Sequence, residues 1–338
     1  MIWLTWRQFR AQALGTLAVL AAIAAYLLIT GPQMRHTYTS DLAACHTPHS
    51  QCGLLLGQLQ QAYNGPRQLL GLLLIALPTL IGIFWGAPLV ATEFERSTHR
   101  MTWNQSVTPT RWLAVKLALL GLAVIGTTGL FTLMITWWAS PIDHIADDRF
   151  SALTFATRNI APLGYAVFAF ALGTTLGLFL RRTFIAMALV LAIFIPLQIV
   201  FASQIRANLL PSTSATMAIN GHTLSSANGI GVGADPNGPI SLFGLGGAGT
   251  WIQSQTNLEN RSGELVPATD VGNCLNEDSP SSLSSIGDCL APYDLHVDYT
   301  YQPGSNYWPL QWYETGIYLA LAGLLTGACF WRIRRHRD

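Results

Sequence analysis

Apolar residues run along this chain in long blocks, with the charged residues gathered between them. Six windows hold no Asp, Glu, Lys or Arg: 11–34, 68–92, 117–142, 159–180, 183–205 and 315–331. Each is close to the roughly 17–25 apolar residues a helix needs to cross about 30 Å of hydrocarbon, and a helix satisfies its own backbone there. The pattern predicts an all-α polytopic membrane protein with six transmembrane helices over 13–30, 68–92, 111–138, 160–180, 183–203 and 311–331. Only Arg181-Arg182 separates the fourth from the fifth. One helix of their joint length would overrun a bilayer at about 1.5 Å per residue, so the arginine pair marks a tight turn.

Local signals refine the helix ends. Thr108-Pro109 reads as an N-cap followed by proline at the first helical position, where the missing N–H costs nothing. Pro162 fits the first turn of the fourth crossing, whereas Pro78, Pro88 and Pro196 lie inside their spans and predict kinks. Residues 1–12 mix Trp3, Leu4, Trp6 and Phe9 with Arg7 and Arg10, the make-up of an elbow helix lying in the interface. The apolar run from Ala13 to Ile29 exceeds the roughly 7–15-residue core of a signal peptide, so it is expected to be retained. Trp137-Trp138, Tyr307, Trp308, Trp312 and Tyr313 read as aromatic belts.

Composition agrees: of 338 residues 51% are hydrophobic and 10% charged, with a mean hydropathy of +0.36, against roughly 25% charged in a soluble domain. A net charge of +1 gives no basic face for nucleic acid. The placement of charge is more telling. With the N-terminus inside, Arg7, Arg10, Arg96, Arg100, Arg111, Lys116, Arg181, Arg182, Arg332, Arg334, Arg335 and Arg337 are cytoplasmic, twelve of the 18 basic residues. The other six, Arg35, Arg67, Arg149, Arg158, Arg206 and Arg261, spread over longer outer segments. The positive-inside rule therefore puts both termini in the cytoplasm. The outer segments are then 31–66, 139–159 and 204–310, and the inner ones the joint 93–110 and the tail 332–338.

The joint is the densest polar chemistry in the chain. It lies within FWGAPLVATEFERSTHRMTWNQSVTPTRWLAVK, Phe84 to Lys116. Glu93 and Arg96 are three apart and Glu95 and His99 four apart, spacings that share a helix face and contribute about 0.2–0.5 kcal/mol per pair. The second crossing thus predicts its own polar extension. Trp103 in the short stretch that follows suits either a docking contact or an interfacial hairpin.

This run resembles the first cytoplasmic loop of actinobacterial ABC-2 type transporter permeases. The shared features are the acidic pair Glu93 and Glu95, the Thr98-His99-Arg100 step, Trp103 and Gln105-Ser106, and Arg111-Trp112 before the third crossing. MIWLTWRQFRAQ likewise resembles the family's elbow helix. The resemblance implies that the loop forms a coupling helix, with Glu93, Glu95, Arg96, Thr98, His99, Arg100, Trp103 and Gln105 receiving motion from an ATPase subunit. It also implies a cytoplasmic ABC ATPase and a second permease copy or paralogue as partners. No cofactor would sit in this chain; ATP and Mg²⁺ would act through the ATPase.

The outer segments carry the remaining chemistry. Cys45 and Cys52, and Cys274 and Cys289, lie where oxidation is permitted, and four cysteines allow three connectivities. Cys329, near the inner end of the sixth crossing, is expected to stay reduced. His36, His46 and His49 beside Cys45 and Cys52 raise metal binding, but no spacing there matches a zinc pattern. Asp143, His144, Asp147 and Asp148 suit either a Mg²⁺-holding membrane transferase or, the favoured reading, a solvated loop. Residues 204–310, rich in Gly, Ser, Asn and Pro, predict an irregular domain with short strands, for example over Leu295 to Tyr301, stapled by disulfides. Gly244 to Gly249 matches a dinucleotide fingerprint without the strand and helix that give it meaning, and Asn260 to Ser262 a glycosylation acceptor.

Glu314, at the lip of the sixth crossing, is expected either to be hydrated or to meet a cationic cargo, and no charge is expected at depth. That disfavours coupling through an intramembrane carboxylate. The single lysine, Lys116, follows no glycine-rich loop, so no phosphate cradle exists here and this chain is not itself an ATPase. The reading is an exporter's permease subunit in the cell membrane, moving an apolar or amphipathic cargo. The alternative is a non-transporting sensor or scaffold whose extracellular domain binds a ligand.

Overall fold

The structure is a computed structural model describing residues 2–45, 52–95, 108–146, 148–225, 227, 229–232, 238, 240–243, 249–275 and 282–335. It divides into two compact units: Met1–Arg206 with Pro309–Asp338, and Ala207–Trp308.

The first unit is a helical bundle. Its elements are α1 (Ile2–Cys45), α2 (Cys52–Ile81), α3 (Ala87–Glu95), α4 (Pro109–Ala146), the short α5 (Ala152–Ala156), α6 (Ala161–Leu180), α7 (Thr183–Val200) and, after the inserted unit, α11 (Tyr307–Arg335). Among the described residues six helical stretches are long and apolar enough to cross a membrane. α6 is the most enclosed of them and packs against α2, α3, α4 and α7.

α1 departs from expectation at both ends. No break separates residues 1–12 from the first crossing, because nothing between Trp3 and Leu14 stops a helix. At the other end the helix runs through Pro32 to Cys45, and α2 begins at Cys52, so most of the expected loop 31–66 is helical. At about 1.5 Å per residue, α1 is about 66 Å long and projects well past a bilayer. Packing explains the extension. Met34 is buried beside Trp138 and Ile142 of α4, and the Arg35 Nη2 donates to the Trp137 carbonyl at 2.6 Å. Trp138 is correspondingly not a belt residue: it is fully buried, and its indole N–H donates to Thr30 Oγ1 at 2.9 Å.

The prolines act where expected. Between α2 and α3 the chain makes a π-helical turn, Gly82–Gly86, soon after Pro78 removes a backbone donor. A second π-helical turn, Phe201–Ile205, follows Pro196 at the end of α7. The first turn lies tightly on α6. A Cβ added at Gly82 would stand 2.8 Å from the Ala169 carbonyl oxygen, and one at Gly86 2.7 Å from that of Phe170. Glycine is required there because two backbones touch. The turn between α6 and α7 is as short as predicted: Arg181 takes the left-handed conformation, φ 53°, and Arg182 is extended.

The second unit holds β1 (Thr213–Ala218), α8 (Gly221–Ser225), β2 (Gly229–Val232), β3 (Ile240–Phe243), β4 (Trp251–Gln255), α9 (Gly272–Leu275), α10 (Leu283–Leu290) and β5 (His296–Gln302). β5 is central in an antiparallel sheet of order β1-β5-β4, and β2 pairs with β3. The predicted alternation over Leu295 to Tyr301 is β5, with Val297 turned into the core. This unit is less irregular than its composition implies. Ile219, Leu224, Leu242, Leu258, Val271 and Leu290 form a buried core, gathered singly from short elements and the segments between them, none long enough to show an apolar pattern. Cys274 and Cys289 join α9 to α10 through a disulfide, Cα–Cα 5.8 Å. Closing a loop of that length contributes about 3 kcal/mol.

Candidate functional site

The ends of α3 and α4 that flank residues 96–107 meet the α6–α7 turn, and three polar contacts tie them. Glu93 is buried on the inward face of α3 and forms an ion pair with Lys116, one helical stretch into α4. The Lys116 ammonium also lies 4.6 Å from the Trp112 ring centre. Glu95 reaches a different helix: Oε1 accepts the Thr183 backbone N–H at 2.7 Å and Oε2 accepts the Thr183 hydroxyl at 2.9 Å. It therefore serves as the N-cap that α7 lacks locally, since Arg182 makes no side-chain cap. The Arg181 guanidinium completes the cluster 5.1 Å from the Phe94 ring centre. Glu93 and Glu95 thus have partners on other elements, beyond the i,i+3 and i,i+4 pairing that their spacing predicts. Thr108 caps α4 as expected, its Oγ1 accepting the Arg111 N–H at 3.4 Å. The other candidates, Arg96, Thr98, His99, Arg100, Trp103 and Gln105, lie outside the described residues.

The opposite end of the bundle, where the chain enters and leaves the inserted unit, holds two charge networks. In the first, Arg67 Nε donates to Asp143 Oδ1 at 2.9 Å, and its Nη2 to Asp148 Oδ1 at 2.6 Å and Thr154 Oγ1 at 2.9 Å. Arg158 Nε donates to Asp143 Oδ2 at 2.7 Å. Arg67 and Arg158 are both buried. In the second, Arg206 Nε and Nη2 donate to the two Glu314 oxygens at 2.8 and 3.0 Å. Tyr165 donates its hydroxyl to the same carboxylate, and the guanidinium lies 4.1 Å from the Phe155 ring centre. Side-chain exposure is 1% for Arg206 and 1% for Glu314, so neither charge is solvated and the pair depends on its own bidentate geometry.

These networks correct two expectations. Asp143 does not belong to a solvated loop: α4 continues to Ala146 and carries Asp143 between two arginines, while Asp148 stays in the half-exposed turn beyond the helix and is held there by Arg67. A Mg²⁺ site would have to displace those arginines, and Asp147 lies outside the described residues. Glu314 is not at a hydrated lip, and a buried charge does occupy the end of a crossing. A signal existed in the sequence. Arg67, Arg158 and Arg206, with Asp143 and Glu314, stand at the edges of charge-free windows on one side of the membrane, where opposite signs can meet.

The remaining candidates are placed as follows. Cys45 is disulfide-bonded, and the side chain of Cys52 lies outside the described residues. Cys329 is a buried free thiol. Gly244 is preceded by a strand after all, β3; residues 244–248 lie outside the described residues, and among the described ones the next element is the strand β4.

The profile of the family described as ABC-2 membrane transporter related matches residues 17–206, more than half of the chain. The protein belongs to the ABC-2 membrane transporter related family. No curated protein and no solved structure matches it. The matched span takes in five of the six crossings and the joint after α3, and it ends at Arg206, the last bundle residue before the inserted unit. As a member of this ABC-2 family the chain is a membrane transport component. The polar cluster of Glu93, Glu95, Lys116 and Thr183 lies wholly inside the family span. Of the other network, only Glu314 lies beyond it.

Proposed function

We propose that this protein is the membrane-spanning subunit of an exporter driven by a separate cytoplasmic ABC ATPase, which supplies the ATP and Mg²⁺ chemistry. Two copies, or this chain with a paralogue, would form the pathway in the cell membrane, both termini lying in the cytoplasm. The cargo class is apolar or amphipathic, such as a drug, antibiotic, lipid or peptide. Glu93, Glu95, Arg96, Thr98, His99, Arg100, Trp103 and Gln105 would make the coupling contact with the ATPase. The observation that supports this reading is Glu95. The residue that ends α3, within the joint, is bonded to the first residue of α7, so a push on the joint acts on the fifth crossing as well as on the second and third. The π-helical turns Gly82–Gly86 and Phe201–Ile205 lie further along the same two helices, where bending is least costly. The inserted unit would cap or gate the exit on the outer face.

The test is co-purification with an ABC ATPase, followed by ATP hydrolysis measured with candidate cargo. Glu95→Ala and Trp103→Ala are expected to keep the complex assembled and to lower cargo-stimulated hydrolysis. A joint that reacts with impermeant reagents only from outside the cell, or the failure of any ATPase to associate, would end the proposal. Removal of residues 215–300 with export and assembly unchanged would end its capping clause alone.

A further inference from the structure

The inserted unit lies outside the family span, and its three-stranded sheet has one face committed to the core and one left open. Val297 points into the core at 0% exposure. Its neighbours His296 and Asp298, two apart on β5, point to the other face. Glu259 joins them from the segment after β4. Its backbone N–H donates to the His296 carbonyl at 2.9 Å, and the His296 N–H donates back to the Glu259 carbonyl at 2.9 Å. Residues paired in this way present their side chains side by side. The outcome is one imidazole nitrogen and two carboxylate oxygens within 4.8 Å of one another.

Two facts separate this cluster from an ordinary polar surface. Among the described residues no lysine or arginine is paired with Glu259 or Asp298, so two carboxylates face each other without a cation. Asp298 has the Thr216 hydroxyl as a donor on one oxygen, which fixes the carboxylate and leaves the second oxygen available. The scaffold does not depend on the cluster either, because β5 is held by two neighbouring strands and by the core beneath it.

We propose that Glu259, His296 and Asp298 form a Zn²⁺ site. One imidazole with two carboxylates is a mixed nitrogen and oxygen set that suits Zn²⁺. Ca²⁺ takes roughly 6–8 oxygens, and Mg²⁺ keeps most of its water. Glu259 and Asp298 turn inward to bring their oxygens to about 2.0–2.2 Å from the ion. Three protein ligands leave a fourth position for water. Next to Asp298 that face opens into a groove of about 560 Å³ lined by Ser214, Thr216, Ser254, Thr256 and Thr300. The inference is independent of the transport reading.

The experiment uses the full chain in detergent, stripped with chelator and titrated with ZnCl₂ by calorimetry, and with Co²⁺ followed by its visible absorption. One equivalent is expected in the natural protein that His296→Ala removes. Glu259→Gln and Asp298→Asn, which keep side-chain shape, are expected to weaken it at least tenfold with the circular dichroism of the chain unchanged. Because any exposed imidazole has some affinity for zinc, the deciding quantity is the difference between the natural protein and each variant. Equal stoichiometry and affinity in His296→Ala and in Asp298→Asn would overturn the site, and so would Ca²⁺ competing on equal terms with Zn²⁺.

Discussion

At the end of the bundle that carries the insertion, Arg67, Arg158 and Arg206 are buried against Asp143, Asp148 and Glu314, whereas among the described residues of the other end the comparable ties include the Lys116 ion pair and the capping carboxylate of Glu95. A guanidinium fork fixes direction as well as distance, while an ammonium is a point charge on a flexible stem. A cap bond is worth only about 1 kcal/mol. Among the described residues the helices are therefore clasped by guanidinium forks at one end and by an ammonium and a cap at the other. Rearrangement costs least beside the joint, at the end where the proposed mechanism needs it.

The comparison breaks most readily at Glu314. Glu314→Leu leaves the Arg206 guanidinium buried without a counter-ion, and thermal unfolding in detergent should reveal a loss of about 3–5 kcal/mol. Arg206→Met combined with Glu314→Leu should recover most of it. An unchanged transition in the single variant would remove the firm half of the contrast. Asp143→Asn comes next, at about 2–3 kcal/mol, because two arginines lose a carboxylate that is itself 17% exposed. At the light end Glu95→Ala should cost about 1 kcal/mol, with cargo-stimulated hydrolysis falling more than stability does. If Glu95→Ala proved as damaging as Glu314→Leu, the two ends would be equivalent. The surface pair Arg261 and Asp294, 4.0 Å apart with side chains 90% and 72% exposed, sets the baseline: Arg261→Ala should leave the unfolding transition where it is.

The sequence carried much of the bundle and little of its chemistry. Charge-free windows locate all six crossings because hydrocarbon excludes charge so strongly. The short turn at Arg181 and the Thr108 cap are local signals and were equally legible. The extensions 31–45 and 52–66 were not, because a polar helix held by a few residues such as Met34 and Arg35 has the composition of a loop. Glu93 and Glu95 were visible as candidates, but their partners Lys116 and Thr183 follow from how helices pack. Arg67 with Asp143, and Arg206 with Glu314, are separated by 76 and 108 residues. Spacing says nothing at that range, and only the sign of charges at matching window edges does.

The Arg206–Glu314 pair also bears on the order in which the protein is made. Arg206 leaves the ribosome 108 residues before its partner, an interval of about 5–20 seconds at ordinary rates of synthesis. Throughout that time the arginine has no counter-ion and is best kept at the water boundary. The last helix to enter the membrane is thus the one that lets the fifth seat fully, and the entire inserted unit has been translated before the bundle can close.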